Sequence, residues 1–355
     1  MDRDYRALGR QTYNRTWKAA SLMPFDIVVP DLLLASGAPP AMRGTRLPKL
    51  ERWLARADLA WANLEGSHAW IAAEHGLAPP VPYAAIALEG EGLGAEGDWL
   101  RADPVYLRID QDGVVLHDAA ILDMTRDEAD ALARALQAHF AGDGIDFRVA
   151  APERWYLRVP PGESPVTVPL ERAFGRNVFG LLPRGAGRIN WPSALTEAQM
   201  TLASHEVNTR RTPAKLAVNS VWFWGEGPRP ASLAQRYGTI HADDAVSLGF
   251  AKISGGQARS LPAGIAGTEI ASQASPTLVA IDALTKAMRR GDEAQWIQAA
   301  AQLDERWFSG LGAAIARFGA VRIVLPTEAR TLVATLTPAA RWRWWRLRKP
   351  MAAHA

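Results

Sequence analysis

The sequence predicts an α/β fold whose core is interrupted by an α+β insert. Three stretches carry the prediction. A β-prone run at Val218, Val221, Trp222, Phe223 and Trp224 stops at Gly225-x-Gly227-Pro228 and is followed by Pro230 and the amphipathic Leu233 to Tyr237. Strand, glycine turn and helix in that order form an α/β unit, and its loop lies at the carboxyl end of a strand, where such folds bind ligands. Phe25 to Pro30 (F-D-I-V-V-P) reads as a short buried first strand, followed by Asp31. Residues 99–159 read as two strands, a helix and two strands, the order of a compact α+β unit.

Composition narrows the function classes. A chain of 355 residues suffices for one large or two medium domains with real cores. Its 48% hydrophobic and 22% charged residues are those of a globular protein. A net charge of +3 is too small to imply nucleic acid by itself. The lack of Cys removes disulfides, thiolate metal sites and a Cys nucleophile, and it fits a reducing cytoplasm, the location expected. No apolar run approaches the ~20 residues of a membrane span. Residues 1–22 carry Arg3, Arg6, Arg10, Arg15 and Lys18 without an apolar core, so they read as a disordered extension rather than a signal peptide, with the folded part starting near Met23. Fourteen Trp imply large rings in the core or lining a pocket.

Taken in order, Leu47 to Ala57 places Leu50, Trp53 and Leu54 at helical spacing. Glu65-Gly66-Ser67-His68 breaks that pattern, and Ile71 to Leu77 resumes a helix. Residues 89–98, rich in Gly and acid, read as an exposed loop. Val105 to Ile109 and Val114 to His117 alternate around Asp110-Gln-Asp-Gly113, a hairpin signal. Thr125-x-x-Glu128 is a capping box opening a helix to about Phe140, with Ala129, Leu132, Leu136 and Phe140 inward. Phe147 to Ala150 and Trp155 to Val159 complete the insert. Thr196-x-x-Gln199 is read as a second capping box. Glu293 to Arg317 reads as one or two long helices, and Val321 to Leu325 and Thr331 to Leu336 as terminal strands.

The run N-S-V-W-F-W-G-E-G-x-x-P (219–230) resembles the motif of cofactor-independent phosphoglycerate mutases of the archaeal type, metal-dependent members of the alkaline phosphatase superfamily. The resemblance extends, in short blocks, through most of the chain. Ile27 to Asp31 is similar to the family's first strand, which ends in a metal-binding Asp. Glu65-Gly66-Ser67-His68 is similar to the segment holding its serine nucleophile, with Ser67 at the serine and His68 in place of an acid. Arg101-Ala-Asp-Pro-Val105, Asp112-Gly113, Thr125 to Ala129 and His205-Glu-Val-Asn208 also match. In Leu278 to Asp292 the frame Val279, Ile281, Ala283, Ala287, Gly291, Asp292 is kept, whereas Ala280, Thr285 and Arg289 stand where the family has His, Asp and His. Thr327 and Glu328 replace two further ligands.

The resemblance implies an alkaline-phosphatase-like three-layer core (23–98 and 191–340), an inserted α+β domain (99–190) and a basic Trp/Arg tail (341–355). A two-metal phosphoryl-transfer site needs several carboxylates and imidazoles converging on ions about 3.5–4 Å apart. Ala and Thr cannot supply those bonds, and an Arg near a metal position repels the ion. No metal site and no cofactor are therefore expected. W-L-R-A-D-P-V-Y-L (99–107), P-E-R-W-Y-L (152–157) and R-W-R-W-W-R (341–346) are similar to bacterial regulatory proteins of the RpfE type. The function expected is non-catalytic, acting through a protein partner or a small anionic ligand. The rivals are an active mutase or metal-dependent phosphatase with an altered site, and a nucleic-acid-associated factor using the tail.

Each candidate residue has two readings. Asp31 suits a residual pocket acid or a turn cap. Ser67 matches a nucleophile, yet without a metal or base its hydroxyl is unactivated. His68 and His75 lie two helical turns apart, a poor spacing for a shared metal. Arg101 suits anion binding by its resemblance to a family arginine. His205, Asn208, Arg210 and Arg211 form a polar knot that suits phosphate or carboxylate recognition, or a solvated loop. Asn219 lies in the same matched block. Trp222 and Trp224 share one strand face and either flank a pocket or pack the core. The tail packs five cations and three Trp into nine residues (341–349), a mix that suits bases, a lipid surface or an acidic partner. The preferred reading packs its Trp on the domain and exposes its Arg heads.

Overall fold

Two β-sheets organise the chain. The structure, a computed structural model, describes residues 25–35, 37–111, 113–211, 215–266 and 275–354; the stretch 1–22 and Asp112 lie outside the described residues. The strands are β1 (Phe25–Val28), β2 (Asp58–Ala62), β3 (Asp98–Asp110), β4 (Gly113–Asp118), β5 (Asp146–Ala151), β6 (Arg154–Val159), β7 (Ser220–Pro228), β8 (Thr239–His241), β9 (Gln257–Arg259), β10 (Thr277–Ala280), β11 (Val321–Pro326) and β12 (Thr331–Leu336).

The first sheet has the order β2-β12-β11-β1-β10-β8-β9. Strands β11, β1, β10, β8 and β9 are parallel, and β12 is antiparallel to both β11 and β2. β1, β10 and β11 are buried along their whole length, as parallel strands covered on both faces must be. One face packs Phe25, Ile27, Val279 and Ile323 against helices Pro48–Arg56, Glu293–Leu303 and Leu311–Phe318. The other packs Val28, Leu278 and Val324 against helices Ser67–Glu74, Tyr83–Glu91 and Ala245–Ile253. Helix, sheet and helix make a three-layer α/β core, the class expected.

The second sheet runs β4-β3-β6-β5, with β7 also paired to β3. Alternation along its strands serves two cores. Trp99, Trp222 and Trp224 face the helices of the first unit, while Leu100, Phe223 and Val221 face helices Arg126–His139 and Trp191–Ser204. The Thr125 capping box is present: Thr125 Oγ1 accepts from Glu128 N at 3.2 Å and the Glu128 carboxylate accepts from Thr125 N at 2.9 Å.

Several expectations are corrected. The 218–228 run is not a core α/β unit but an antiparallel strand of the second sheet, so residues 191–228, expected in the core, contribute to the inserted sheet and its helix layer. β7 does not stop at Gly225; it passes through both glycines to Pro228, and residues 229–237 form no helix. Gly225 has φ +72, and a Cβ there would lie 3.1 Å from Ala84 N, so helix Tyr83–Glu91 crosses the strand where only Gly leaves room. That helix, unread in the sequence, in turn meets helix Ala245–Ile253 so closely that a Cβ on Gly249 would overlap the Ile86 carbonyl. Thr196 is interior to a helix that begins at Trp191 and is capped by Asn190; its hydroxyl bonds back to Pro192 O. The tail reverses the preferred reading: Arg343 and Arg346 point inward to carbonyls and Asp58, and the Trp side chains face water.

Candidate functional site

The carboxyl ends of the core strands meet one end of the second unit at a cluster of acids and cations. Asp31 follows β1 in the left-handed region, φ +59, uncommon for a non-Gly residue and tolerated by Asp better than most. Its carbonyl accepts from Trp296 Nε1 at 3.0 Å, and its Oδ2 accepts from Thr285 Oγ1 at 2.5 Å. Thr285 lies in the first turn of helix Ala283–Arg290, which follows β10. Arg289 is four residues on, hence on the same helix face. Its Nη1 is 3.2 Å from Asp118 Oδ2, at the end of β4. Burial raises the Asp31 pKa, and the Thr285 hydroxyl and the Arg289 charge offset only part of that.

His68 forms the second half of the cluster. It sits in the first turn of helix Ser67–Glu74. Its Nδ1 is 3.0 Å from Glu171 Oε1 and its Nε2 is 3.1 Å from Asp244 Oδ1. Glu171 comes from helix Leu170–Ala173, and Asp244 is the N-cap of helix Ala245–Ile253, accepting also from Ser247 N at 2.8 Å. Burial alone would lower the His68 pKa; the two carboxylates outweigh it and push it up to about 10. Asp244, against its own burial, falls to about 2 through its bonds to His68 and Ser247. The ring is therefore an imidazolium with both N–H groups donating. The Glu171 carboxylate also lies against Gly66, one residue before the buried Ser67, and Gly66 N donates to Thr327 O at 3.3 Å.

The residues present do not fit a dinuclear metal site. Thr285 donates to Asp31 where the resemblance calls for a second acid, and Arg289 brings a cation against Asp118. The carboxylates of Glu171 and Asp244 are taken up by His68. Thr327 Oγ1 is spent within the β11–β12 turn, bonding Arg330 O at 2.7 Å. Among the described residues no three His, Asp or Glu side chains are arranged to hold an ion. Asp31, Thr285 and Arg289 do come together, and the Ser67–His68 segment borders them through Glu171.

The other candidates lie elsewhere and are engaged by the protein. Arg101 is buried between the two units, bonding Asp103 Oδ1 at 2.6 and 3.0 Å and lying over the rings of Tyr156 and Trp224. Trp224 Nε1 donates to the same carboxylate at 2.8 Å, and Trp222 Nε1 donates to Val168 O at 2.9 Å. Asn219 pairs with both backbone groups of Leu107. Asn208 clips Leu202 O to Val218, and His205 Nδ1 accepts from Val207 N as a helix cap. Arg211 bonds Leu216 O, Leu122 O and Glu128.

Glu171, Asp118 and Asp244 were missed in the sequence. Asp244, three residues before Ser247, carries a readable N-cap signal. Asp118 likewise caps a short turn, accepting from Ala120 N at 2.9 Å, but its pairing with Arg289 leaves no local mark, and Glu171 carries no signal because its partner His68 lies far away along the chain.

The chain matches no protein-family model and no curated protein. Among solved structures, it is similar to a cofactor-independent phosphoglycerate mutase from Thermoplasma acidophilum DSM 1728, at 18% identity and a TM-score of 0.44, over 89% of this chain and 90% of that one. It is also similar to the PH0037 protein from Pyrococcus horikoshii, at 12% identity and a TM-score of 0.53, over 89% of this chain and 88% of that one. The second likeness is one of fold.

Proposed function

We propose that this chain is a non-catalytic relative of the phosphoglycerate-mutase-like proteins, one that regulates by binding rather than by turnover. One observation carries the reading: both ring nitrogens of His68 are held by carboxylates. A general base needs a free lone pair within reach of the proton it takes. His68 has none to offer Ser67, and a ring held charged to about pH 10 does not release a proton near neutrality. Ser67 is thus left as an unactivated hydroxyl. Arg289 and His68 supply positive charge within the acidic cluster, the electrostatic service that bound ions perform in a two-metal site. The replaced positions Ala280, Thr285, Arg289 and Thr327 support the same reading, as does the similarity to regulatory proteins of the RpfE type.

The test is an assay of purified full-length protein for phosphoglycerate mutase and phosphomonoesterase activity with manganese, cobalt or zinc. The expected result is no turnover above that of Ser67→Ala under any ion. Turnover in the wild type that Ser67→Ala abolishes would return the chain to the working enzymes.

A further inference from the structure

The last turn of the described chain carries a surface the cluster above does not use. After β12 the backbone passes through the short turn Pro338–Trp342 and folds back on the core, where Ala340 and Met351 are buried. Between them three arginines hold the segment down. Arg341 bonds Gly312 O, Arg343 bonds Arg56 O at 3.0 Å and Asp58 at 2.6 and 3.1 Å, and Arg346 bonds Ala57 O at 3.0 Å. The apolar side chains point the other way: Trp342 and Trp344 are 74% exposed, Trp345 64% and Leu347 87%. Arg348 and Lys349 complete the segment and form no ion pair with a described residue. Arg52 and Arg56, stacked on Trp53, add cations on the neighbouring helix.

Three exposed tryptophans and an exposed leucine lie within residues 342–347, with the Trp344 and Trp345 rings 6.1 Å apart; so much apolar surface left in water marks an interaction surface. We propose that this segment seats the protein on an anionic lipid surface, with the indoles at headgroup level and Leu347 in the acyl boundary. Trp is enriched at that level of a bilayer, where one end of the ring is wet and the other apolar. Arg348 and Lys349 beside it match the charge of anionic headgroups. No helix among the described residues is long and apolar enough to cross a membrane, so the contact is peripheral. Nucleic acid fits less well. The Trp344 and Trp345 rings stand 81° apart at 6.1 Å, a poor platform for successive bases. Leu347, the most exposed of the four, offers no face for stacking, and three of the five cations are spent on the protein's own carbonyls and Asp58.

The experiment is co-sedimentation of the full chain with phosphatidylcholine vesicles, with and without 30% phosphatidylglycerol. The expected result is binding to the anionic vesicles, weakened by 0.5 M salt as the Debye length shrinks. The variant W342A/W344A/W345A should lose at least ten-fold in partitioning with an unchanged Tm, since these rings are exposed. The variant R348Q/K349Q should lose about 25-fold, at roughly five-fold for each of two cations, and it decides the matter should the first variant prove unstable. Failure to bind anionic vesicles, or binding indifferent to both variants, overturns the proposal. So does tighter binding to a single-stranded oligonucleotide, or a dimer in sedimentation that the triple variant dissociates.

Discussion

Replacing His68 by Gln removes the one positive charge between Glu171 and Asp244. An ordinary imidazole at 6.5 and a folded one at about 10 differ by about 5 kcal/mol in preference for the charged ring. His68 is 16% exposed and the two carboxylates about a quarter, so water screens part of that, leaving about 2–4 kcal/mol. The folded pKa lies above the unfolded one. The stabilisation is therefore fully present below pH 6.5 and is lost progressively as pH rises toward 10. Urea denaturation of wild type and His68→Gln should differ by about 2–4 kcal/mol at pH 6, and the gap should close by pH 10. Ring-nitrogen NMR should report an imidazolium at pH 8. A gap independent of pH, or a ring that titrates below pH 7, refutes the reasoning.

Two further outcomes follow from buried contacts. Arg322 on β11 bonds Asp26 on the adjacent β1 and Glu74 behind it, with Tyr237 OH also on Asp26 at 2.5 Å. Arg322→Ala leaves two buried carboxylates with one fewer cation and should cost about 3–5 kcal/mol, read as a lower denaturation midpoint. Gly249→Ala drives a methyl into the Ile86 carbonyl where two helices touch. It should cost about 1–3 kcal/mol, whereas Gly142→Ala, with open space around it, should shift the thermal midpoint little.

Much of the fold was legible because it is written in local pattern. Continuous apolar runs announced β1 and β11, period-two alternation announced β3 and β4, and Thr125 with Glu128 announced a helix start. The helix Tyr83–Glu91 was hidden because it is buried nearly all round, so no polar face sets a helical period. The placement of β7 was hidden because an apolar strand carries no sign of its partner. Gly225 looked like punctuation, and only the crossing helix reveals it as a close approach.

The amino-acid string alone determined that Ala280, Thr285 and Arg289 cannot act as imidazole and carboxylate ligands, since donor chemistry belongs to the residue type. Only tertiary structure decided what those residues do instead. His68 meets Asp244 across 176 positions of chain, and Arg289 meets Asp118 across the boundary between the two sheets. Coulomb attraction acts through space and leaves no periodicity along the backbone, so partners of this kind appear only once the chain has folded them together.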